Sequence, residues 1–305
     1  MTAKGMKIWG VCFLILGLVS CSCQTEKKES IGPNHYLQFT DVSATKEFFN
    51  WNSGRDFMVS AHRGGSYSGY PENSIELFDY VLENTSAIIE CDIAMTQDSV
   101  LVMMHDNTLD RTSTGKGSVA DKTFDELKQL NLVDMEGKVT HFKIPSLKEV
   151  LKWAKGKTLL TLDIKDNVPY ELVVREVEDM EAEAYIVLIT YDFGAAKMLH
   201  HLNPELMLSV TIRNEVEWGR FEETGIPVEN IIAFTGLSER ESSFNKMLHE
   251  HGVFTILGVL GNLDKRAIAR GDHVYKEFLD NGTDILATDR PLEAAEVLKQ
   301  HNDEY

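Results

Sequence analysis

The chain has 305 residues, 43% of them hydrophobic and 26% charged, with no low-complexity tract, which allows one large α/β domain whose core needs no disulfides. Its formal net charge of -18 excludes a non-specific nucleic-acid binder. The same charge obliges any site for an anionic ligand to supply its own cations or a metal.

Taken in order, Lys4 and Lys7 precede an apolar segment over residues 8–19 that ends in Leu18-Val19-Ser20-Cys21. The segment is too short to span a bilayer comfortably but suits the core of a signal peptide. The Leu-Val-Ser-Cys end resembles a bacterial lipoprotein processing site. It implies a signal peptide over 1–20, lipidation at Cys21 and residence on the cell envelope; an ordinary secretory signal cut nearby is the alternative. Residues 21–35 are polar and aperiodic and read as a flexible tether. Residues 36–56, with Phe39, Phe48, Phe49 and Trp51, read as an N-terminal segment packed on the domain. The four cysteines (Cys12, Cys21, Cys23, Cys91) show no Cys/His zinc spacing, and the fold is expected to be disulfide-free.

From residue 57 to 301 apolar runs alternate with helical patterns. Strands are predicted near 57–62, 87–93, 158–164, 184–190, 207–212, 229–234, 253–258 and 284–288. Helices are predicted near 73–84, 146–155, 169–181, 192–202, 214–223, 239–250, 272–281 and 291–300. Eight such repeats in this length fit a (β/α)8 TIM barrel better than a doubly wound sheet, whose Gly-rich fingerprint is missing after the first strand. Residues 96–145 read as a small insertion after the second strand, with a hairpin and a helix near 123–130.

The first strands end in titratable groups: His62-Arg63-Gly64-Gly65, then Glu90-Cys91-Asp92, then, past a turn, His105-Asp106. A later run ends in Asp163-Ile164-Lys165. Strand alternation sends Glu90 and Asp92 to one face and Cys91 to the other, and places Asp163 and Lys165 together. Three carboxylates at one barrel mouth repel each other unless a cation sits among them. Their hard oxygens suit Mg²⁺ or Ca²⁺, and a salt-bridge network with Arg63 and Lys165 is the plainer reading. His62 and His105 are candidates for a general acid/base pair, with Arg63 and Lys165 as phosphate holders. Gly64 and Gly65 permit close backbone approach to a ligand. Tyr191, Trp218 and Phe234 read equally well as mouth-lining or as packing. Asn73 reads as a helix cap, with Glu72 a candidate supporting residue.

With Pro71-Glu72-Asn73-Ser74, His105-Asp106-Asn107-Thr108-Leu109-Asp110-Arg111-Thr112, Gly115-Lys116-Gly117 and Thr288-Asp289-Arg290-Pro291, these motifs make the chain resemble the glycerophosphodiester phosphodiesterase family over roughly residues 57–300. The resemblance implies a barrel that hydrolyses glycerophosphodiesters to glycerol 3-phosphate and an alcohol with one divalent cation, Mg²⁺ or Ca²⁺. It implies His62 and His105 as the acid/base pair, Glu90, Asp92 and Asp163 as metal ligands, and Arg63 and Lys165 on phosphate. The substrate's own glycerol hydroxyl would be the nucleophile, giving a cyclic phosphate. Asp163 departs from the family's usual Glu, and the loops over 65–70 and 258–266 depart near the expected alcohol site. Two other readings stay open: a phospholipase on intact phospholipids or phosphoinositides, and a non-catalytic phosphoester-binding lipoprotein.

Overall fold

The computed structural model describes residue 1, residues 35–52 and residues 56–304. The expected signal peptide beyond its first residue, the lipidation site Cys21 and the tether up to residue 34 lie outside the described residues.

In chain order the elements are α1 (Val42–Phe48), β1 (Met58–Ala61), α2 (Ile75–Asn84), β2 (Ile88–Met95), β3 (Leu101–Met103), α3 (Phe124–Leu127), α4 (Leu147–Ala154) and β4 (Leu160–Ile164). There follow α5 (Tyr170–Asp179), β5 (Ile186–Thr190), α6 (Phe193–Leu202), β6 (Met207–Thr211), α7 (Glu215–Glu222), β7 (Ile231–Phe234) and α8 (Ser242–Glu250). The chain ends with β8 (Thr255–Gly258), α9 (Asn262–Arg270), α10 (Val274–Asp280), β9 (Ile285–Thr288) and α11 (Pro291–Glu304). β1 pairs in parallel with both β2 and β9, so the eight parallel strands close into the expected TIM barrel with helices around it. Among the described strands β3 pairs, antiparallel, with β2 alone and lies outside the closed ring; its other side bonds to Pro145 and Ser146.

The strands are short apolar runs because parallel barrel strands are covered on both faces, by side chains inside and helices outside. Val59, Ala61, Ile89, Cys91, Leu162, Leu188 and Leu208 are all buried in one core. Cys91 is a free, fully buried thiol whose pKa burial pushes up, a small hydrophobe as its strand position implied. Helix starts are written locally. Ser74 accepts from the Leu77 amide, Asp192 from Ala195 and Asn214 from Glu217, and Ser146 with Glu149 forms a capping box.

Three elements differ from the sequence expectation. β1 stops at Ala61, and His62–Gly64 form a turn of 3₁₀ helix in which Arg63 takes φ 54°. α2 begins at Ile75 rather than 73, because Asn73 sits at φ 59° and Ser74 is the cap. A helix, α9, fills the stretch expected as a long loop after the seventh barrel strand. Charged residues at Asp264, Lys265, Arg266 and Arg270 hide its periodicity, and only Asp264 and Ala267 of it are buried.

The insertion has a small core of its own, formed by Ala94, Val102, Met104, Leu109, Val119, Leu127, Leu132 and Ile144. Its helix α3 covers four residues only, opened by a Thr123–Glu126 capping box. At the opposite end of the barrel the N-terminal segment is pinned. Phe49 meets Phe254 edge-on at 5.9 Å, Trp51 stacks on His249 at 4.1 Å, and the Trp51 indole donates to Asp284 at 3.0 Å. Among the described residues no helix is long and apolar enough to cross a membrane.

Candidate active site

Parallel pairing puts Asp92 directly beside Asp163, and Glu90 beside Thr161. The inward faces of β2 and β4 thus bring the three acids together at the C-terminal edge of the barrel, where barrel sites form. One oxygen from each of Glu90, Asp92 and Asp163 lies within 4.8 Å of the others, and all three residues are buried.

The partners of the acids are specific. Lys165 donates to Asp92 Oδ1 and to Asp163 Oδ2, at 2.6 Å each. The Asn73 amide donates to Asp92 Oδ2 at 2.7 Å, and its oxygen accepts from the Asp92 backbone N–H at 3.0 Å. Arg63 Nε stands 3.4 Å from Asp92 Oδ2, while the Arg63 backbone N–H donates to Glu90 Oε2 at 2.7 Å. Tyr191 donates its hydroxyl to Asp163 Oδ1 at 3.0 Å. Burial would raise the Asp92 carboxyl, but Lys165, Asn73 and Arg63 together hold it below the ordinary range. Burial first, and then the charge of Asp92, push Glu90 up.

The two candidate histidines are each oriented by a carboxylate. His62 Nδ1 lies 2.7 Å from Asp289 Oδ1, just past β9, the barrel strand next to β1. His105 Nδ1 lies 2.7 Å from Asp106 Oδ1. Burial alone would lower the His62 pKa; the Asp289 hydrogen bond and the charges of Glu90 and Asp289 outweigh it and raise the pKa. A cavity of about 460 Å³ opens at the barrel edge, walled by His105, Asn107, Ser118, Asp163, Lys165 and Tyr191. His62 is not among the residues that wall it; on the β1 side it stands near enough to Glu90 for the two charges to interact.

The donor set fits a hard divalent cation. Three buried carboxylates face the positive charges of Lys165 and Arg63, Arg63 being shared with Glu72 at 3.1 Å. Glu90, raised by burial and by its neighbour, is the acid a cation would relieve. The plainer salt-bridge reading also holds in part, since Lys165 and Arg63 do pair with these acids.

Other sequence expectations resolve as follows. Asn73 holds Asp92, and Ser74 does the capping. Gly64 and Gly65 answer to packing: a Cβ at Gly64 would lie 2.7 Å from the Phe78 ring and one at Gly65 2.9 Å from Pro291, both at positive φ. Of the three aromatics, Tyr191 is at the mouth. Trp218 is buried in the helix layer against Phe221, and Phe234 crowds Gly258 at the end of β7. In the loop after β1, Tyr70 stacks on Tyr80 at 4.3 Å, and the Tyr67 hydroxyl accepts from the Leu292 amide and donates to Glu293. Asp289, Asp106 and Arg111 also belong to the site; each stood in a quoted motif, but only coordinates show what it touches.

Against known proteins, the model of the "Glycerophosphoryl diester phosphodiesterase family" matches residues 62–228. A crystal structure of a glycerophosphoryl diester phosphodiesterase from Parabacteroides distasonis superposes with a TM-score of 0.81 at 36% identity, covering 87% of this chain and 94% of that one. A glycerophosphodiester phosphodiesterase from Agrobacterium tumefaciens shares the fold, with a TM-score of 0.62 at 20% identity over 79% of this chain and 100% of that one. The glycerophosphodiester phosphodiesterase of Bacillus altitudinis is 30% identical over 163 residues, 50% of this chain. This chain spans 65% of the length of that relative and of the other leading curated relatives it matches. A match over more than half the chain, joined to a barrel alike over nearly the whole of a solved relative, makes this protein a member of the glycerophosphoryl diester phosphodiesterase family.

Proposed function

We propose that the protein hydrolyses glycerophosphodiesters to glycerol 3-phosphate and an alcohol. The observation that carries this reading is the meeting of Glu90, Asp92 and Asp163 within 4.8 Å, flanked by two histidines that each have a carboxylate on Nδ1. A carboxylate at Nδ1 fixes ring orientation and leaves Nε2 to exchange a proton with a ligand.

His62 and His105 act as the acid/base pair. The substrate's glycerol hydroxyl attacks phosphorus and gives its proton to one imidazole, while the other imidazole protonates the departing alkoxide. Water then opens the cyclic phosphate, with the proton transfers reversed. Arg63 and Lys165 hold non-bridging phosphate oxygens, and Lys165 is already aimed at this edge of the barrel by Asp92 and Asp163. Glu90, Asp92 and Asp163 would hold one Mg²⁺ or Ca²⁺, which when bound neutralises charge developing on the phosphoryl oxygens.

The test is release of glycerol 3-phosphate from glycerophosphocholine, -ethanolamine, -inositol and -glycerol, with EDTA and metal add-back. Turnover abolished by chelation and restored by Mg²⁺ or Ca²⁺ supports the reading; turnover indifferent to EDTA removes the cation from it. Tight retention of a glycerophosphodiester without product would favour a binding lipoprotein instead.

One observation favours a second reading, an enzyme for intact phospholipids. Met135, Tyr191 and Leu237 are exposed apolar side chains, and Tyr191 and Leu237 follow the mouth ends of β5 and β7. Release of headgroup phosphate from phospholipid vesicles faster than from the soluble diesters would establish it.

We also read residues 1–20 as a lipoprotein signal and Cys21 as the lipid-bearing residue, which would tether the barrel to a membrane of the bacterial envelope. Lys4, Lys7, the apolar run and Leu18-Val19-Ser20-Cys21 support this. Labelled palmitate should enter the native chain and not Cys21→Ala.

A further inference from the structure

The two candidate histidines follow different strands, which are not hydrogen-bonded to each other. His62 and Arg63 follow β1 of the closed barrel. His105 follows β3, which bonds to β2 and to the segment just before α4; its Val102 and Met104 pack into the insertion's own core, and its Leu101 and Met103 into the barrel core. β2 fixes the two strands in the barrel; the side chains that cross from the segment after β3 to the turn after β1 add to that the placement of the groups the strands carry.

Gly69 donates its backbone N–H to Asp134 across this boundary at 2.8 Å, and Arg111 makes a crossing between the site residues themselves. Its Nε and Nη2 donate to the two oxygens of Asp106 at 2.7 and 2.9 Å. Its Nη1 and Nη2 donate to the two oxygens of Glu72 at 2.6 and 2.8 Å. Asp106 in turn holds His105 Nδ1 at 2.7 Å, and Glu72 accepts from Arg63 Nη1 at 3.1 Å. One guanidinium thus forks to two carboxylates, each of which holds one member of the candidate site. Only a rigid planar group with this many donors does both at once; an ammonium supplies the charge without the two forks.

We propose that Arg111 and Glu72 are positioning residues that set His105 against Arg63, so that the insertion and the barrel act on one phosphoester. The proposal rests on the phosphodiesterase reading. Arg111 is 48% exposed, and exposed ion pairs contribute little to folding, so placement is what this one can supply. The Arg111 and His105 bonds also hold the Asp106 carboxyl far below the usual range, which keeps it an acceptor at any working pH.

The experiment compares Arg111→Gln, Arg111→Lys and Glu72→Gln with the native full chain. It reads glycerol 3-phosphate release from glycerophosphoethanolamine, thermal midpoint, and hydrogen–deuterium exchange over residues 104–112. Misplacement of a catalytic group by about an ångström lowers turnover on the order of 10²-fold, so kcat should fall about 10- to 100-fold in each variant. The midpoint should move by no more than about 2 °C. Lysine should fail to rescue, and Arg111→Gln in a His105→Ala background should add no more than about two-fold. Exchange over 104–112 should rise while the barrel strands keep their protection. Native kcat in Arg111→Gln, full rescue by lysine, or unchanged exchange over 104–112 would overturn the proposal. A native chain inert toward every glycerophosphodiester would sink the phosphodiesterase reading instead, and the exchange comparison would then decide the positioning role of Arg111 by itself.

Discussion

Asn73 and Asp92 grip each other twice: the Asn73 side chain donates to the Asp92 carboxylate at 2.7 Å and accepts the Asp92 backbone N–H at 3.0 Å. Both residues are buried, and the Asn73 backbone N–H is itself taken up by the Arg63 carbonyl at 2.9 Å. The turn after β1 is thereby locked to the middle of β2. Asn is suited to the place because it tolerates φ 59° and carries a donor and an acceptor on one short side chain.

Replacing Asn73 with Ala leaves a buried amide and a buried carboxylate oxygen each short of a partner. Each such loss costs about 1–3 kcal/mol. Urea denaturation should show destabilisation of that order, and Mg²⁺ or Ca²⁺ affinity should fall about 10- to 100-fold, the usual effect of removing a group that orients a ligand. Native stability with native cation binding would contradict the assignment.

Asp289→Asn should change the pH response of His62. In the native chain the His62 pKa is raised against burial by Asp289 and Glu90. A group raised on folding lends stability below its unfolded pKa, about 6.5 for histidine, and that contribution disappears as pH climbs through the folded value. The stability gap between native and Asp289→Asn should therefore be largest near pH 5 and close above neutrality. The limb of the kcat/KM profile that reports His62 should move to lower pH in the variant.

Lys165→Met removes the ammonium between Asp92 and Asp163, both of which it touches at 2.6 Å. Breaking a buried ion pair from one side costs about 3–5 kcal/mol. Because Lys165 helps depress Asp92, the native benefit is present above the unfolded carboxyl pKa of about 3.9 and fades as pH falls through the lower folded value. The variant's deficit should be full at pH 7 and shrink toward acid. A pH-independent deficit would point to lost packing alone.

Asp284 offers a control at the far end of the barrel. It accepts from Trp51, from the Thr255 amide and hydroxyl, and pairs with His249 at 2.9 Å. Asp284→Ala should lower stability by at least about 2 kcal/mol, several buried donors losing their acceptor, while kcat of the folded fraction stays native. Conservation of stability at that end and chemistry at the other is the expected division of a barrel.

How much of this was legible beforehand can be read from particular residues. Glu90 and Asp92 share a face, as do Asp163 and Lys165, because strand alternation has a period of two; that the two pairs meet rests on the β2–β4 register, which sets Asp92 beside Asp163. The Asp289–His62 contact joins residues 227 positions apart and exists only because β9 closes on β1, which no local pattern encodes. Asn73 was misread since helix capping and a left-handed turn favour the same residue type. α9 was missed because a surface helix with a charged face mimics a loop. Arg111 sat in a motif, yet its two forks depend on the insertion folding back over the turn after β1.

The most direct test of the central claim is kcat for glycerol 3-phosphate release by His62→Ala and by His105→Ala. Acid/base groups contribute on the order of 10²- to 10⁴-fold, so each variant should lose at least ~10²-fold while binding divalent cation and melting as the native chain does. Near-native turnover in either variant would contradict the account.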